Sequence, residues 1–440
     1  MKLDQKHFAK RRKSLLKAIG KQGILVLPSA TEKIRNRDCE YPFRQDSDFW
    51  YLTGFNEPEA VLVLVPGRKE GEVVLFCRRR DKEMEIWNGR RAGQDGAVAD
   101  YSVDQAFPID ELGERMPDML DKRKTVYHTA GHNKQFDTHL WGWVENLKNR
   151  ERRGCVAPTH FEDRDQLIHS VRMIKTSAEQ KIMRKAGDIT AKAHIRAMQI
   201  CKPGMYEYQL EAAIHHDFAD NGARYPAYTT IVGGGDNACI LHYTENSDEL
   251  KDGDLVLIDA GCELDHYAAD ITRTFPVNGK FSKEQKALYQ IVLDAQLAAI
   301  ETIKPGKAWD SFHDAALAKL VDGLIELGIL KGKRSKLIAD DAYKPFYMHG
   351  TGHWLGLDVH DVGHHKENGK YLPFKPGMTL TVEPGLYIAP DNEDVDKKWR
   401  GIGIRIEDDV LVTDDGCEVL TAGVPKSVEE IEALMQPKKG

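Results

Sequence analysis

The chain has 440 residues, of which 41% are hydrophobic and 30% are charged, and its formal net charge is −7 at pH 7. This length predicts two or three globular domains of ordinary composition. The acidic balance argues against a nucleic-acid or membrane-surface partner, and no run reaches the ~20 apolar residues that a membrane span needs.

Seven cysteines are scattered along the chain without a CxxC pair. Their odd number and spacing predict free thiols in a reducing cytoplasm rather than a disulfide framework or a zinc–thiolate site. The basic, amphipathic N-terminus lacks the apolar core of a secretory signal. We therefore expect a surface helix there, with a mitochondrial transit peptide as the alternative.

The first third of the chain alternates apolar and polar segments. Three apolar runs, at 23–29, 60–66 and 72–77, predict buried strands, and the segment 78–153 is rich in charge. We therefore expect residues 1–172 to form an α/β domain with its own sheet.

The remainder, residues 173–440, contains a faint internal duplication. The capping-box spacing of Thr176 and Glu179 predicts a helix that Lys-Pro-Gly at 202–204 ends. A helix predicted over 283–303 ends in the same tripeptide. This repetition predicts two related αβ halves.

Strand-like segments extend the duplication. "GDLVLIDAG" resembles "GMTLTVEPG", and each places an acid two residues before its last glycine, Asp259 in the first and Glu383 in the second. Each half then offers a second acid on the returning strand, Asp270 and Glu407 respectively. Four acids at matched places in two repeats predict a functional site rather than surface acids.

The first pair of acids lies on a predicted hairpin. A symmetric hairpin over 253–275 centres its turn on Leu264 and Asp265 and sets Asp259 directly opposite Asp270. Opposed like charges destabilise a sheet, and burying an unpaired charge costs more. Either a cation lies between them or the register differs, and Leu-Asp is a poor two-residue turn, so a longer loop or a bulge is the alternative.

Carboxylate clusters suit hard or borderline cations such as Mn²⁺. A histidine would complete a two-metal site, and "HGTGHWLGLDVHD" offers three, including His349 and His353 at i, i+4 spacing. The glycines beside them argue against a helix, so spacing does not choose between these two. His242 follows an apolar run before the hairpin and is a further candidate, although a lone histidine there is more often a core residue.

Four segments resemble the motifs of the pita-bread metallopeptidases: "LIDAGCELDHYAADITRTF", "HGTGHWLGLDVHD", "TVEPGLYIAP" and "GIRIEDDVLVT". Two others, "YPFRQDSDFWYLTGFNEPEAVLVL" and "GGGDNACILHYTEN", are similar to the aminopeptidase P group of that family. The resemblance covers the whole chain. It implies an α/β (α+β) fold, in which a creatinase-like N-terminal domain for oligomerisation and substrate gating precedes a pseudo-symmetric pita-bread catalytic domain.

The resemblance also implies a role for each matched residue. Five residues match the metal ligands: Asp259, Asp270, His353, Glu383 and Glu407. Glu383 would also be the general base. His242 and His360 would contact the substrate and the transition state. Arg405 would orient carboxylates beside the last ligand, and His349 is left with a supporting role.

The activity implied is that of an exopeptidase that releases the first residue from peptides with proline in second place. Attack would come from a hydroxide that bridges two ions, most simply Mn²⁺, roughly 3.5 Å apart. Trp87 resembles a tryptophan that reaches a neighbouring subunit's active site in relatives, and Asp38 is a similar candidate for substrate contact. A cytoplasmic homotetramer, a dimer of dimers, is implied.

Other interpretations share this fold. A prolidase would cleave only Xaa-Pro dipeptides, and a methionine aminopeptidase would not need the N-terminal domain. A non-catalytic pita-bread module would bind peptides or other partners after losing ligands, and creatine-cleaving relatives work without metal. All five ligand positions are filled in this sequence, which favours the metallopeptidase.

Overall fold

The structure is a computed structural model that describes residues 3–436. The chain divides into two compact units, one ending at Val171 and the other beginning at Arg172.

The first unit is a mixed α/β layer structure. Its strands are β1 (Gly23–Pro28), β2 (Ile34–Asn36), β3 (Cys39–Glu40), β4 (Val61–Leu64), β5 (Val73–Cys77), β6 (Gln105–Pro108), β7 (Thr125–Tyr127) and β8 (His160–Glu162). Its α-helices are α1 (Gln5–Ile19), α2 (Ser47–Thr53), α3 (Lys82–Asn88), α4 (Gly93–Tyr101), α5 (Leu112–Leu120), α6 (Lys134–Asn149) and α7 (Asp165–Arg172), with 3₁₀ turns at Ile109–Glu111 and Glu151–Arg153.

Six of these strands form one sheet in the order β6-β5-β4-β1-β7-β8. The three apolar runs are confirmed as strands β1, β4 and β5, and Ile24, Val63 and Phe76 within them are fully buried. Continuous apolar strands are stable only where both faces are covered. Met116 of α5 and Leu140 of α6 supply part of that cover.

The second unit contains the remaining elements. Its strands are β9 (Tyr225–Pro226), β10 (Ile231–Gly234), β11 (Leu255–Asp259), β12 (Cys262–Leu264), β13 (Tyr267–Ala268), β14 (Thr272–Pro276), β15 (Lys366–Glu367), β16 (Lys370–Tyr371), β17 (Thr379–Val382), β18 (Gly385–Ile388), β19 (Ile402–Arg405), β20 (Asp408–Val412) and β21 (Cys417–Val419). Its helices are α8 (Ser177–Ile200), α9 (Glu207–Asp220), α10 (Lys283–Thr302), α11 (Ser311–Glu326), α12 (Arg334–Ala339) and α13 (Val428–Met435), with 3₁₀ turns at Gly235–Cys239 and Lys397–Trp399.

Capping boxes open the first helix of each half. The Thr176 N–H donates to Glu179 Oε2 at 2.8 Å at the start of α8, and the Ser282 N–H donates to Gln285 Oε1 at 2.8 Å at the start of α10. Both helices were predicted from sequence, and both are confirmed. Each is followed by a second helix, so the helical parts of the two halves correspond.

The register of the first hairpin differs from the symmetric prediction. Asp259 pairs with Thr272, and Leu264 pairs with Tyr267. The turn therefore consists of Asp265 and His266, whose φ angles are 47° and 69°. Two positive φ angles give the turn the twist that a two-residue hairpin favours. The predicted register was wrong by two residues along one strand.

A shift of two residues keeps every side chain on its predicted face, because the period of a strand is two. Asp270 therefore shares a face with Asp259, but it lies diagonally from it instead of directly opposite. The two carboxylates stay close without the full penalty of a directly opposed pair.

Gly261 allows the two strands of the first hairpin to approach each other closely. A Cβ atom added there would lie 1.7 Å from the carbonyl oxygen of Ala269, which is backbone and cannot give way. We expect Gly261→Ala to lower the free energy of unfolding by about 3 kcal/mol, measured by chemical denaturation. The matched control is Gly416→Ala, because a Cβ at Gly416 meets nothing within 4 Å. Equal stability of the two variants would contradict the close approach.

The second hairpin is built in a different register. Val382 pairs with Asp408 and Gly385 pairs with Arg405, so Glu383 lies across from Glu407. The strand-end acids of the two halves match as predicted. The returning acids do not match, since Glu407 lies where the first hairpin has Thr272.

Candidate metal centre

One cavity of about 560 Å³ in the second unit brings the predicted residues of that unit together. Its walls include Asp259, Asp270, His353, Glu383 and Glu407, the five predicted ligands, together with His242, His349, His360 and Arg405. The acids that the duplication placed on separate hairpins thus converge on one space.

Three side chains of the cavity, Asp270, His353 and Glu407, could hold a metal ion together. Each offers one ligand atom, and these atoms lie within 4.8 Å of one another. His353 Nε2 lies 3.5 Å from Asp270 Oδ2 and 3.6 Å from Glu383 Oε1. A fourth carboxylate therefore borders the same imidazole nitrogen.

Asp259 is held by two neighbours. The hydroxyl oxygen of Tyr228 lies 2.6 Å from Asp259 Oδ1 and 2.5 Å from Asp270 Oδ1, so its single hydrogen can be donated to either carboxylate. Arg405 donates from its terminal nitrogen to Asp259 Oδ2 at 2.6 Å. The sequence predicted only that Arg405 orients carboxylates. In the structure, Asp259 is a carboxylate to which Arg405 bonds.

Hydrogen bonds between the two hairpins fix the ligands' spacing. The Glu407 N–H donates to the Thr272 carbonyl at 3.0 Å, and the Thr272 hydroxyl donates to Glu407 Oε2 at 2.6 Å. The backbone N–H of His353 donates to Thr381 Oγ1 at 3.1 Å, which joins this residue to β17. Gly352 permits that approach, since a Cβ there would lie 2.0 Å from the Thr381 carbonyl oxygen.

The two histidines that spacing left open are oriented differently. His353 Nδ1 donates to the Trp354 carbonyl at 3.0 Å, which leaves Nε2 directed at Asp270 and Glu383. A metal-binding histidine is usually oriented in this way by a carbonyl behind it. His349 has both nitrogens engaged, Nδ1 with the Gly350 carbonyl at 2.7 Å and Nε2 with the Tyr387 hydroxyl at 2.8 Å.

Burial of so many acids together shifts their protonation. Burial, and then the charge of Asp259, raises the pKa of Asp270, and burial raises the pKa of Glu383 to about 7. Burial and the charge of Asp270 raise the pKa of Glu407 well above its ordinary range. Burial lowers the pKa of His353, but its bond to Asp270 and the nearby carboxylates outweigh this and raise it to about 9.

These features fit divalent cations. Four carboxylates and an imidazole face each other in a buried space where Arg405 is the nearest permanent cation, and carboxylate–imidazole donor sets suit Mn²⁺, Zn²⁺ and similar ions. Without metal, the raised pKa values of these acids mean that some of them hold a proton near neutral pH. Bound dications would displace those protons. The donor set therefore fits a two-metal site.

Two further histidines line the same cavity. His360 packs edge-to-face on His353, with ring centroids 4.2 Å apart, and burial followed by the charge of His353 lowers the pKa of His360. His242 is exposed at the cavity wall, so the alternative of a core histidine is wrong.

The two candidates in the N-terminal unit lie on its surface. Trp87, on α3, has 83% of its surface exposed, and its neighbour Ile86 has 81% exposed. Asp38 is exposed between β2 and β3. The cavity of the second unit is lined without either of them.

Sequence reasoning missed three polar side chains of the site. Tyr228 bridges two acids, Thr272 bonds to Glu407, and Tyr387 accepts from Arg405 at 3.0 Å. Thr272 lies two residues after Asp270 on the same face, and this period could have indicated it. Tyr228 and Tyr387 come from other segments, and no local pattern marks them.

The fold and the clustered ligands define a pita-bread metallohydrolase. The sequence model of "Metallopeptidase family M24" matches residues 181–414, and that of "Aminopeptidase P, N-terminal domain" matches residues 8–127. The chain therefore belongs to metallopeptidase family M24, in its aminopeptidase P group.

Relatives agree over the full length. The chain is 49% identical to Xaa-Pro aminopeptidase of Escherichia coli K12, covering 98% of both chains, and 46% identical to that of Haemophilus influenzae, covering 99% of this chain and 98% of the relative. Among solved structures, Pseudomonas aeruginosa aminopeptidase PepP superposes with a TM-score of 0.98 at 54% identity, covering 99% of this chain and 98% of that one. Zinc-substituted E. coli aminopeptidase P in complex with product gives 0.96 at 49% identity, covering 99% of both.

Among residues 3–436, no helix is both long and apolar enough to cross a bilayer. All seven cysteines are free.

Proposed function

We propose that the protein is an Xaa-Pro aminopeptidase that releases the N-terminal residue from peptides with proline in second place. The observation that carries this proposal is the convergence of Asp259, Asp270, His353, Glu383 and Glu407 in one cavity. The full-length identity to Xaa-Pro aminopeptidases supports the substrate class. The proline preference rests on that similarity.

The five side chains would hold two divalent ions, which we propose to be Mn²⁺. Two such ions would supply a water of lowered pKa and an electrophile for the scissile carbonyl. The four carboxylates balance the charge of two dications. The remaining chemistry belongs to the protein's own groups.

Glu383 is the proposed general base. Its carboxylate lies at the cavity wall beside His353, and burial raises its pKa to about 7, near the pH at which a base works best. It would take the proton of the attacking water and deliver it to the prolyl nitrogen. That nitrogen carries no hydrogen in the peptide, so it must be protonated before it leaves.

The other polar groups of the cavity would position and stabilise. His242 and His360 would donate hydrogen bonds to the oxygen that becomes negative during attack. Arg405 is a positioning residue, since it fixes Asp259 at 2.6 Å and also bonds to the Tyr387 hydroxyl. His349 bonds to the other side of that hydroxyl and completes the support.

The N-terminal domain, residues 1–172, is proposed to serve oligomerisation and substrate gating, with residues 173–440 as the catalytic domain. Contiguous exposed apolar surface marks protein interfaces, and the adjacent Ile86 and Trp87 on α3 are both exposed. We propose that Trp87 and Asp38 contact substrate in a neighbouring subunit of a homotetramer. The free cysteines support a cytoplasmic location.

A peptide-length series tests the function. Metal-loaded protein should release the first residue from Xaa-Pro tripeptides and longer peptides, lose this activity with chelator, and regain it with Mn²⁺. A peptide with alanine in second place is the matched substrate control. Cleavage of Xaa-Pro dipeptides alone would indicate a prolidase, and no chelator-sensitive release at all would contradict the proposal.

The two histidines give a sharper test of the ligand set. His353→Ala is expected to weaken Mn²⁺ binding by more than about 100-fold, because it removes the imidazole nitrogen that lies 3.5 Å from Asp270 Oδ2 and 3.6 Å from Glu383 Oε1. His349→Ala is the matched control and should keep the metal content of the parent protein, since both its nitrogens bond elsewhere. Metal analysis after dialysis measures both. Equal metal loss in the two variants would contradict the assignment.

A further inference from the structure

The N-terminal unit contains a polar cavity of its own, which the peptidase chemistry does not use. It has a volume of about 430 Å³ and lies at the carboxyl ends of the parallel strands β1 and β7. The connection after β1 leads to β4 on one side of the sheet order, and the one after β7 leads through α6 to β8 on the other. The carboxyl ends of parallel strands are where open α/β sheets bind ligands.

Two buried side chains at this cavity have polar atoms without partners. Arg164 is only 2% exposed, and its Nε and one terminal nitrogen have no hydrogen-bond partner among the described residues. The nearest carboxylate oxygen to that Nε, in Asp165, is 4.0 Å away. His128 Nε2 bonds to Asp137 Oδ1 at 2.7 Å, and its buried Nδ1 has no partner within residues 3–436. The two Arg164 groups are buried donors, and buried donors without partners are costly, so they indicate a missing acceptor. His128 Nδ1 is an acceptor when Nε2 donates to Asp137, so it offers a lone pair to a ligand hydroxyl or N–H instead.

The rest of the lining is strongly basic. Lys33, Arg44 and Lys134 join Arg164 there, against one carboxylate, that of Asp46. Asp46 is already engaged, because it accepts the Phe49 N–H at 2.9 Å as the N-cap of α2. The side chains that line the cavity itself are therefore mostly cationic, which suits an anion, while the carboxylates of Asp137, Asp163 and Asp165 lie behind the lining, bonded to His128 and Thr129.

The N-terminus of α6, a helix of 16 residues, also opens on this cavity. Asn133 caps it by accepting the Phe136 N–H at 3.1 Å, and Lys134 is its first residue. A lysine in the first turn opposes the helix dipole and is unfavourable for the helix itself. An anion bound at this end would be stabilised by both the helix and the lysine.

An apolar cavity of about 420 Å³ adjoins the basic one and shares Pro28, Ser29 and Asn133 with it. Phe136 and Trp143 are among the residues that line it. A ligand with a charged head and a flat apolar body would fill both spaces.

We propose that the N-terminal unit binds a phosphate monoester with a flat aromatic group, the chemical class of a nucleoside monophosphate. The phosphate lies between Arg164, Lys134 and the start of α6, and the aromatic group lies against Phe136 and Trp143. This site belongs to a single unit and is independent of the metal centre.

Calorimetric titration of the metal-loaded full chain tests the proposal, with phenyl phosphate, inorganic phosphate and benzoate as probes. We expect phenyl phosphate to bind more tightly than either of the others. Lys134→Gln should weaken its binding about fivefold and Arg164→Gln by about tenfold or more. Lys148→Gln, at the opposite end of α6, is the matched control and should leave the affinity unchanged.

Lys134 is exposed, so its variant keeps the test valid even if loss of the buried Arg164 impairs folding. Hydrolysis of Xaa-Pro peptides should be unchanged in Lys134→Gln. Equal phenyl phosphate affinity in the Lys134 and Lys148 variants would overturn the proposal. Benzoate that binds as tightly as phenyl phosphate would overturn the assignment to a phosphate ester.

Discussion

Glu383→Gln is expected to lower kcat for an Xaa-Pro tripeptide by about 10³-fold while KM changes little, because the amide cannot accept the proton of the attacking water. The substitution keeps the side chain's shape, and the Thr381 hydroxyl that lies 3.4 Å from Glu383 Oε1 can still donate to an amide oxygen. The peptide N–H of residue 383 still donates to the Thr351 carbonyl at 2.8 Å. Steady-state kinetics at saturating Mn²⁺ measures the effect.

Glu383 is also a proposed ligand, so bound metal has to be measured on the same samples. Glu393→Gln, at an exposed position of the same unit, is the control and should retain the parent's rate. A Glu383→Gln protein with full metal content and more than a tenth of the parent's kcat would show that another group accepts the proton.

Asp408→Asn is expected to lower the free energy of unfolding by about 3 kcal/mol or more, because it leaves two cations without their carboxylate. Asp408 is fully buried and accepts from Arg273 at 2.7 Å and from Lys426 at 2.7 Å. The Gln296 amide and the Thr421 hydroxyl also donate to it, each at 2.8 Å. Calorimetry on chelated samples measures the loss without interference from bound metal.

The Asp408 carboxylate also makes the stability of the protein depend on pH. Burial tends to raise the pKa of Asp408, but the charges of Arg273 and Lys426 outweigh it and lower that pKa to about 2. A carboxylate with a depressed folded-state pKa stabilises the protein fully above its unfolded pKa of about 3.9. That contribution is lost as the pH falls through about 2.

The stability difference between the parent and Asp408→Asn should therefore be constant above about pH 4 and shrink between pH 4 and pH 2. Asp414→Asn, on the exposed turn that follows β20, is the matched control and should follow the parent at every pH. A difference that does not change over this range would show that the ion pair is not its source.

Much of the site was accessible from the sequence because strands have a period of two. Asp259 and Asp270 were assigned to one face of a hairpin, and they remain on one face although the register was wrong by two residues. The error came from the turn, because the positive φ angles of Asp265 and His266 are not encoded by a favoured turn sequence. The predicted face of each side chain was correct, but the predicted pairing of Asp259 directly opposite Asp270 was wrong.

The sequence by itself determined the apolar strands of both units, the capped helices and the residue types of a carboxylate–imidazole site, because these depend on neighbours a few positions apart. Tertiary structure alone brought His353 Nε2 close to Asp270 and Glu383, supplied Tyr228 to Asp259, and placed Arg164 at a basic cavity. These outcomes rest on contacts such as the one between Thr272 and Glu407, which are 135 positions apart in the chain. No local pattern carries such information, because it arises only when separately formed hairpins and helices pack together.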